Sequence, residues 1–539
     1  MREVVRPAWL LLLLGTTLCF ECCAAAGGPA GRRLAEAGPA AASAPGTADV
    51  IVVGAGLAGT AAARDLAKQG LQVILLEARS RVGGRTWTRE LPAGGGKTVK
   101  VEMGAAWVHG LVNNPIVPLA KQAGVSLAAE ITDYENNVLY LPDGREASGA
   151  QETRWEGLFS DFEDFVAGEQ AANEESGRDP GIGALLSRFI AVEELTGLDR
   201  LALLSLANTN IEHEYAAPLA KLSLYYDSDT ALDGDDKFVT GGYQRLAEFL
   251  ARRLDVRLGH VVTSIDSSKP GSIAVAVQGK GTLTAQRVVV AVPLGVLQKG
   301  AIRFLPSGLA PANEAALGQL GMGLLNKLFL LFDRPWWTDV QTIEVWNRVS
   351  GRGSGAWQET FNLWPITGQP LLVAFNAAGY AEQLEKKSKQ AVKDEYMALL
   401  RSSFGADAVP DPVSYDVTAW GSDPYAYGSY SYARAPLAGE EGYNRAHLDC
   451  AKPMAGGRIF FAGEHTRTDY PATAHGALLS GQKAARDLLK SLPGFATAAQ
   501  GAGPCDMVEG FPAGSNATGC GGSGLRGRRR RLRFAARGR

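Results

Sequence analysis

Cysteine is scarce in this chain outside its leader. Six are present, but Cys19, Cys22 and Cys23 fall in an apolar N-terminal segment, leaving Cys450, Cys505 and Cys520. These make no Cys-x-x-Cys pair and no cluster with histidine at ligand spacing, so no metal site is expected. Long hydrophobic runs are also missing: past the leader, nothing approaches the roughly 18 uninterrupted apolar residues of a membrane-crossing helix. The mature chain is therefore expected to have no membrane span. Glycine is plentiful at 65 residues, yet no Gly-X-Y period runs through the chain, which excludes a collagen. What is present suits a packed core: 46% hydrophobic and 20% charged residues exclude wholesale disorder. A length of 539 residues suggests two or three domains.

Net charge is −2, but unevenly spread. Eight arginines between 526 and 539 make the C-terminal tail basic and leave about −10 on everything before it. A solvated tail is the favoured reading, with binding to an anionic polymer or membrane as the alternative; no nucleic-acid partner is expected. Residues 1–26 have Arg2 and Arg6, an apolar run from Ala8 to Phe20, then small residues at Ala24–Ala26. That is the layout of a signal peptide, against a retained anchor or transit peptide, and predicts the secretory pathway with an extracellular or vacuolar destination. Residues 27–46 read as a disordered linker and 492–539 as a disordered tail. Cys505 and Cys520 could close a disulfide there, leaving Cys450 free, and Asn516-Ala517-Thr518 is a glycosylation sequon.

The strongest signal begins at Ala48-Asp49-Val50-Ile51-Val52-Val53, a β-branched run suited to a buried parallel strand. Gly54-Ala55-Gly56-Leu57-Ala58-Gly59 follows, then a helical pattern over Ala61–Lys68, Gly70, and a second strand at Gln72–Leu76 ending in Glu77. Gly54 permits the tight turn and Gly56 lets a pyrophosphate approach the backbone. Gly59 allows close helix–strand packing, and Glu77 is placed for a ribose hydroxyl. Beyond it, Arg79 and Arg85 flank Gly83-Gly84 and offer donors to a larger, polar cofactor.

This strand–GxGxxG–helix–LEAR–x–RVGGR order resembles the N-terminal signature of the flavin-dependent amine oxidase superfamily. The likeness continues through VEMGAAWVHG (101–110), NIEHEYAA (210–217), DKFVTGGY (236–243), VVVAVPLGVL (288–297), LLNKLF (324–329) and IFFAGEHTRTDYPATAHGALLSG (459–481). It implies an α/β fold, with a discontinuous Rossmann-like FAD-binding domain (47–125, 235–300 and 455–491). A mixed α+β substrate domain (126–234 and 301–454) fills the intervals. It also implies noncovalently bound FAD near Ala58, Ala106, Trp107, Val262, Glu464, Thr473 and Ala474. In the implied reaction a hydride leaves the carbon next to an amine nitrogen, the imine is hydrolysed, and O2 takes the electrons to give H2O2.

Polyamine oxidases, acting on spermine- or spermidine-type amines, are the most similar branch. Their active-site lysine maps to Lys327, which lies in the apolar run LLNKLFLLF, where an ammonium is costly and its pKa should fall. His109 maps to a position that carries Glu or His in that family; unaided, it reads equally as a loop histidine or as a base that keeps a substrate nitrogen neutral. Glu214 maps to an acidic tunnel residue, with a solvated acidic face as the alternative. Between 420 and 432, dense aromatics could be core or pocket wall, and Trp420 and Tyr430 are the chosen walls. The motif GSYSY and the PATxHGALLSG ending closely resemble those of flavin-dependent histone lysine demethylases, but the leader argues against chromatin. The cleaved carbon–nitrogen bond and the oligomeric state are not readable.

Overall fold

The computed structural model describes residues 47–133, 136–225, 232–337, 340–346, 355–437 and 446–493. The leader, linker, sequon, Cys505–Cys520 pair and arginine run lie outside them.

An eight-stranded sheet carries the GxGxxG turn. The first strand, Thr47–Val53, is flanked in parallel by Gly281–Val290 on one side and Val73–Leu76 on the other; Asp255–Arg257 extends the sheet beyond the latter. The strand Gly281–Val290 forks: its first half pairs antiparallel with Ile273–Val277, and its last three residues pair in parallel with Ile459–Phe461. Segments more than 400 residues apart in sequence thus share one sheet. The central stretches Val50–Val53, Val73–Leu76 and Val288–Val290 are continuous apolar runs because both faces are covered. On one face lie the helices Leu57–Lys68 and Ala474–Lys490, packed closely on each other. An added Cβ at Gly481 would stand 2.0 Å from the Ala58 carbonyl oxygen, so the contact tolerates only glycine there.

A second sheet of six strands runs Ser414–Val417, Leu325–Leu331, Leu371–Ala377, Glu359–Asn362, Thr342–Val345, Asn137–Tyr140. It is antiparallel apart from the last pair. One face packs on the helix Lys389–Phe404 around Tyr396 and Leu400. The opposite face carries Lys327, Phe361 and Phe375 toward the first sheet's motif loops. The expected combination of a Rossmann-like sheet and a mixed α/β partner is therefore observed.

The sequence-predicted elements hold with shifted ends. The first helix starts at Leu57 rather than Ala61, because Gly56 is its N-cap and the glycine turn is already part of the helix start. The C-terminal strand spans Ile459–Phe461, and Gly463 just beyond it has a φ of +148°.

Candidate active site

A cavity of about 1980 Å³ runs from the glycine turn to the second sheet. It is about twice the upper end of the usual small-ligand range, room enough for a dinucleotide and a substrate together.

At one end is a backbone cradle. Gly54, Gly56 and Ala58 line it, and Gly54 has φ +101° with the Ala291 carbonyl 2.6 Å from any added Cβ. No side chain caps the helix at Gly56, so its N-terminal amides open on the cavity. An added Cβ at Gly56 would meet nothing nearer than 3.9 Å, so a bound group can come up against the main chain there. Gly59 does not line the cavity. Its missing Cβ would stand 1.8 Å from the Gly54 carbonyl oxygen, so it serves packing, as the motif predicts.

Glu77 ends the second strand, buried, and accepts from the backbone N–H groups of Ala55 (2.7 Å) and Arg79 (2.9 Å). Burial raises its pKa while those amides lower it, and each oxygen keeps a further lone pair for a hydroxyl. The arginines differ from the expectation that both offer themselves to a cofactor. Arg79 spends both terminal nitrogens on Asp423 (2.7 and 2.8 Å). Arg85 donates to Glu464 (2.9 Å) and the Ser429 carbonyl (2.8 Å). Both line the cavity, but as groups already tied to carboxylates.

Glu464 is fully buried. Burial alone would raise its pKa, but Arg85, His465 and the Ser431 hydroxyl hold it down to about 2, so it is ionised at neutral pH. One of its oxygens also accepts from the Ala472 N–H (2.9 Å), which ties it to the loop before the last helix. That loop turns through Tyr470 and Ala472, both with positive φ. Thr473 then caps the helix by accepting from the Gly476 N–H (2.9 Å), and Thr473 and Ala474 face the cavity. Ala106, Trp107 and Val262 also line it.

Where cradle and second sheet meet sits Lys327. Its ammonium donates to the carbonyls of Gly104 (2.6 Å) and Glu102 (3.1 Å) and lies over the rings of Phe375 (5.5 Å) and Trp107 (5.7 Å). Burial lowers its pKa to about 8. His109 has Nδ1 2.8 Å from Asp236, which also accepts from the Gly110 N–H, so the ring is oriented and the neutral form carries its acceptor at Nε2. Glu214 is an exposed carboxylate on the cavity wall. Its short helix, His213–Tyr215, follows a π-helical turn at Asn208–Glu212, a widened geometry found often at functional sites. Trp420 is wall and brace at once, its indole donating to the Met103 carbonyl (3.1 Å). Tyr430 donates to the His213 carbonyl (2.8 Å), so its phenol is committed to protein.

Sequence reasoning missed Glu102, Asp236, His213, Glu344 and Glu359. Burial pushes the Glu102 carboxyl up to about 7, beside Lys327. Glu102, His213 and Asp236 lie inside the segments quoted for the resemblance but were given no role there, while Glu344 and Glu359 lie in none of those segments. Glu344 and Glu359 become neighbours only through strand pairing.

The family described as flavin containing amine oxidoreductase matches residues 57–489. The chain belongs to that family. Among curated relatives, this amine oxidoreductase is 34% identical over 452 residues to lysine-specific histone demethylase 1 homolog 1 of Arabidopsis thaliana, covering 82% of this chain and 52% of the relative. It is 32% identical over 454 residues to probable polyamine oxidase 4 of the same plant, covering 81% of this chain and 86% of the relative. The chain thus spans about half the length of the demethylase relatives and most of the oxidase. A redesigned putrescine oxidase superposes with a TM-score of 0.63 at 23% identity, covering 82% of this chain and 99% of its own, which shows the shared fold. Among the described residues no helix is long and apolar enough to cross a membrane.

Proposed function

We propose that this amine oxidoreductase is an FAD-dependent polyamine oxidase that holds its cofactor noncovalently. The observation that carries the reading is the continuity of one cavity from the glycine cradle, past Lys327, to a pocket walled by carboxylates and aromatic rings. Cradle and buried acid fit a dinucleotide: backbone amides for a pyrophosphate, Glu77 for a ribose. Cys450, the one cysteine among the described residues, is buried and does not line the cavity, which supports noncovalent binding. When bound there, a flavin supplies a two-electron acceptor.

The chain's own residues do the rest. Glu214 and the acidic body draw cationic amines inward. Trp420, Trp107 and Phe375 flank an aliphatic chain. His109, oriented by Asp236, accepts a hydrogen bond or proton from a substrate nitrogen, leaving that nitrogen the lone pair that oxidation needs. Lys327, its pKa lowered by burial to about 8, holds and exchanges a proton at the boundary of the two regions. The net change converts a secondary amine, O2 and water to an aldehyde, a primary amine and H2O2. The leader supports secretion, to a destination outside the cell or in a vacuole.

A methylated lysine is the second reading, favoured by identity to the demethylase homologues. The test is a product assay on purified protein with spermine, spermidine, acetylated spermine and methylated lysine peptides. Peroxide and aldehyde from the polyamines are expected. Turnover of the peptides alone would replace the proposal with the second reading.

A further inference from the structure

Four strands of the second sheet put Glu344, Glu359, Phe375 and Lys327 in one cross-strand row. Glu344 pairs with Glu359, Glu359 with Phe375, and Phe375 with Lys327. All four line the cavity, so the row lies on its floor. With strands about 4.8 Å apart, Glu359 stands about 10 Å and Glu344 about 14 Å from Lys327 along the row.

Two glutamates directly opposite on adjacent strands repel and destabilise the sheet locally. Here the strain is not relieved by a cation: among the described residues, no Lys or Arg ion pair reaches either carboxylate. Glu359 has only His213 as an ionisable partner, at 2.9 Å. The surroundings hold further polar atoms left over. The Thr342 hydroxyl, 3% exposed and lining the cavity on the same strand face as Glu344, has no hydrogen-bond partner; neither has Nε2 of His213, 6% exposed and also lining it. Buried, unpaired polar atoms at a cavity wall mark a place where a ligand completes the bonding.

We infer that Glu344 and Glu359 form a subsite for a second cationic nitrogen of the substrate, set back from the carbon that is oxidised. This rests on the polyamine reading and deepens it, because the subsite selects amines carrying two or more well-separated cations over monoamines and short diamines. An ammonium between the carboxylates donates a charge-assisted bond to each, and the Thr342 hydroxyl oxygen and Nε2 of His213, whose Nδ1 faces Glu359, supply further acceptors. Phe375, between the subsite and Lys327, packs against the methylene chain. Without that cation, burial and then the neighbouring Glu359 push the Glu344 carboxyl up to about 7 against the lowering effect of Asn137 and Trp346, and a bound ammonium would favour its charged form.

The holoenzyme can be mixed anaerobically with a monoamine, diamines of increasing length, spermidine and spermine, reading flavin bleaching for apparent Kd and limiting rate. Wild-type protein should show apparent Kd falling stepwise once the second nitrogen can reach the row. E344Q and E359Q, near-isosteric and checked by their bound-flavin spectrum, should weaken spermine at least about tenfold more than the monoamine, as expected for losing a charge-assisted contact. The loss should fall in Kd more than in limiting rate. Spermine oxidised by wild type with no dependence on chain length, or weakened no more than the monoamine in both variants, would overturn the subsite while leaving polyamine oxidation standing. Bleaching by methylated lysine peptides and by no polyamine would overturn both. The wild-type length series requires no variant to fold.

Discussion

Lys327 can remain in an apolar strand because two carbonyls and two aromatic faces receive its ammonium while burial lowers its pKa to about 8. Methionine fills the same space without a titrating group. Lys327→Met is expected to retain bound flavin, read from its visible spectrum, while slowing reduction or reoxidation by about 10²-fold or more, the scale of positioned proton chemistry. Unchanged rates for both half-reactions would remove the lysine from the mechanism. Glu464 gives a prediction in stability. Its folded pKa, about 2, lies below the ordinary 4.5, so it stabilises the fold above pH 4.5, and that contribution is lost as pH falls from about 4.5 toward 2. Glu464→Gln should lower the melting temperature at pH 7 and flatten its decline between pH 5 and 2; a parallel decline would contradict the Arg85–Glu464 pairing. Single residues were legible where a motif names them, as with Lys327, Glu77 and Gly59. The engagement of Arg79 by Asp423 was not, since the two are 344 positions apart and nothing local couples them.

At the scale of elements, the packed pair Leu57–Lys68 and Ala474–Lys490 holds both cofactor-facing helix starts. Gly481 makes that approach possible. Gly481→Val is therefore expected to destabilise by about 1–3 kcal/mol, the range for overpacking, and to weaken flavin retention. Gly318, helical with nothing within 4 Å of an added Cβ, is the control, and Gly318→Ala should be neutral or stabilising by up to about 1 kcal/mol. Equal melting temperatures for both variants would refute the packing argument. Removing the cap in Thr473→Ala should cost about 1 kcal/mol in a denaturant titration. The parallel strands and the first helix were readable because apolar runs and glycine spacing are local. The cavity floor was not. The row from Glu344 to Lys327 depends on the register of four strands, and two intervening segments, 338–339 and 347–354, are outside the described residues.

For the whole molecule, the sequence's charge division and the cavity point the same way. An acidic body carrying about −10 meets a cavity whose far wall holds carboxylates that, among the described residues, have no Lys or Arg ion pair, so cations are drawn to where the cradle ends. Family and fold follow from matched segments spread over most of the chain. Substrate does not, because the relatives matched over most of the chain include both histone demethylase homologues and a probable polyamine oxidase. The decisive measurement is anaerobic mixing of the purified, flavin-loaded chain with spermine while the band at about 450 nm is followed. That band is expected to bleach, and peroxide to form when air is admitted. A band that stays unbleached with spermine, spermidine and acetylated spermine would contradict polyamine oxidation and leave only the family and the fold.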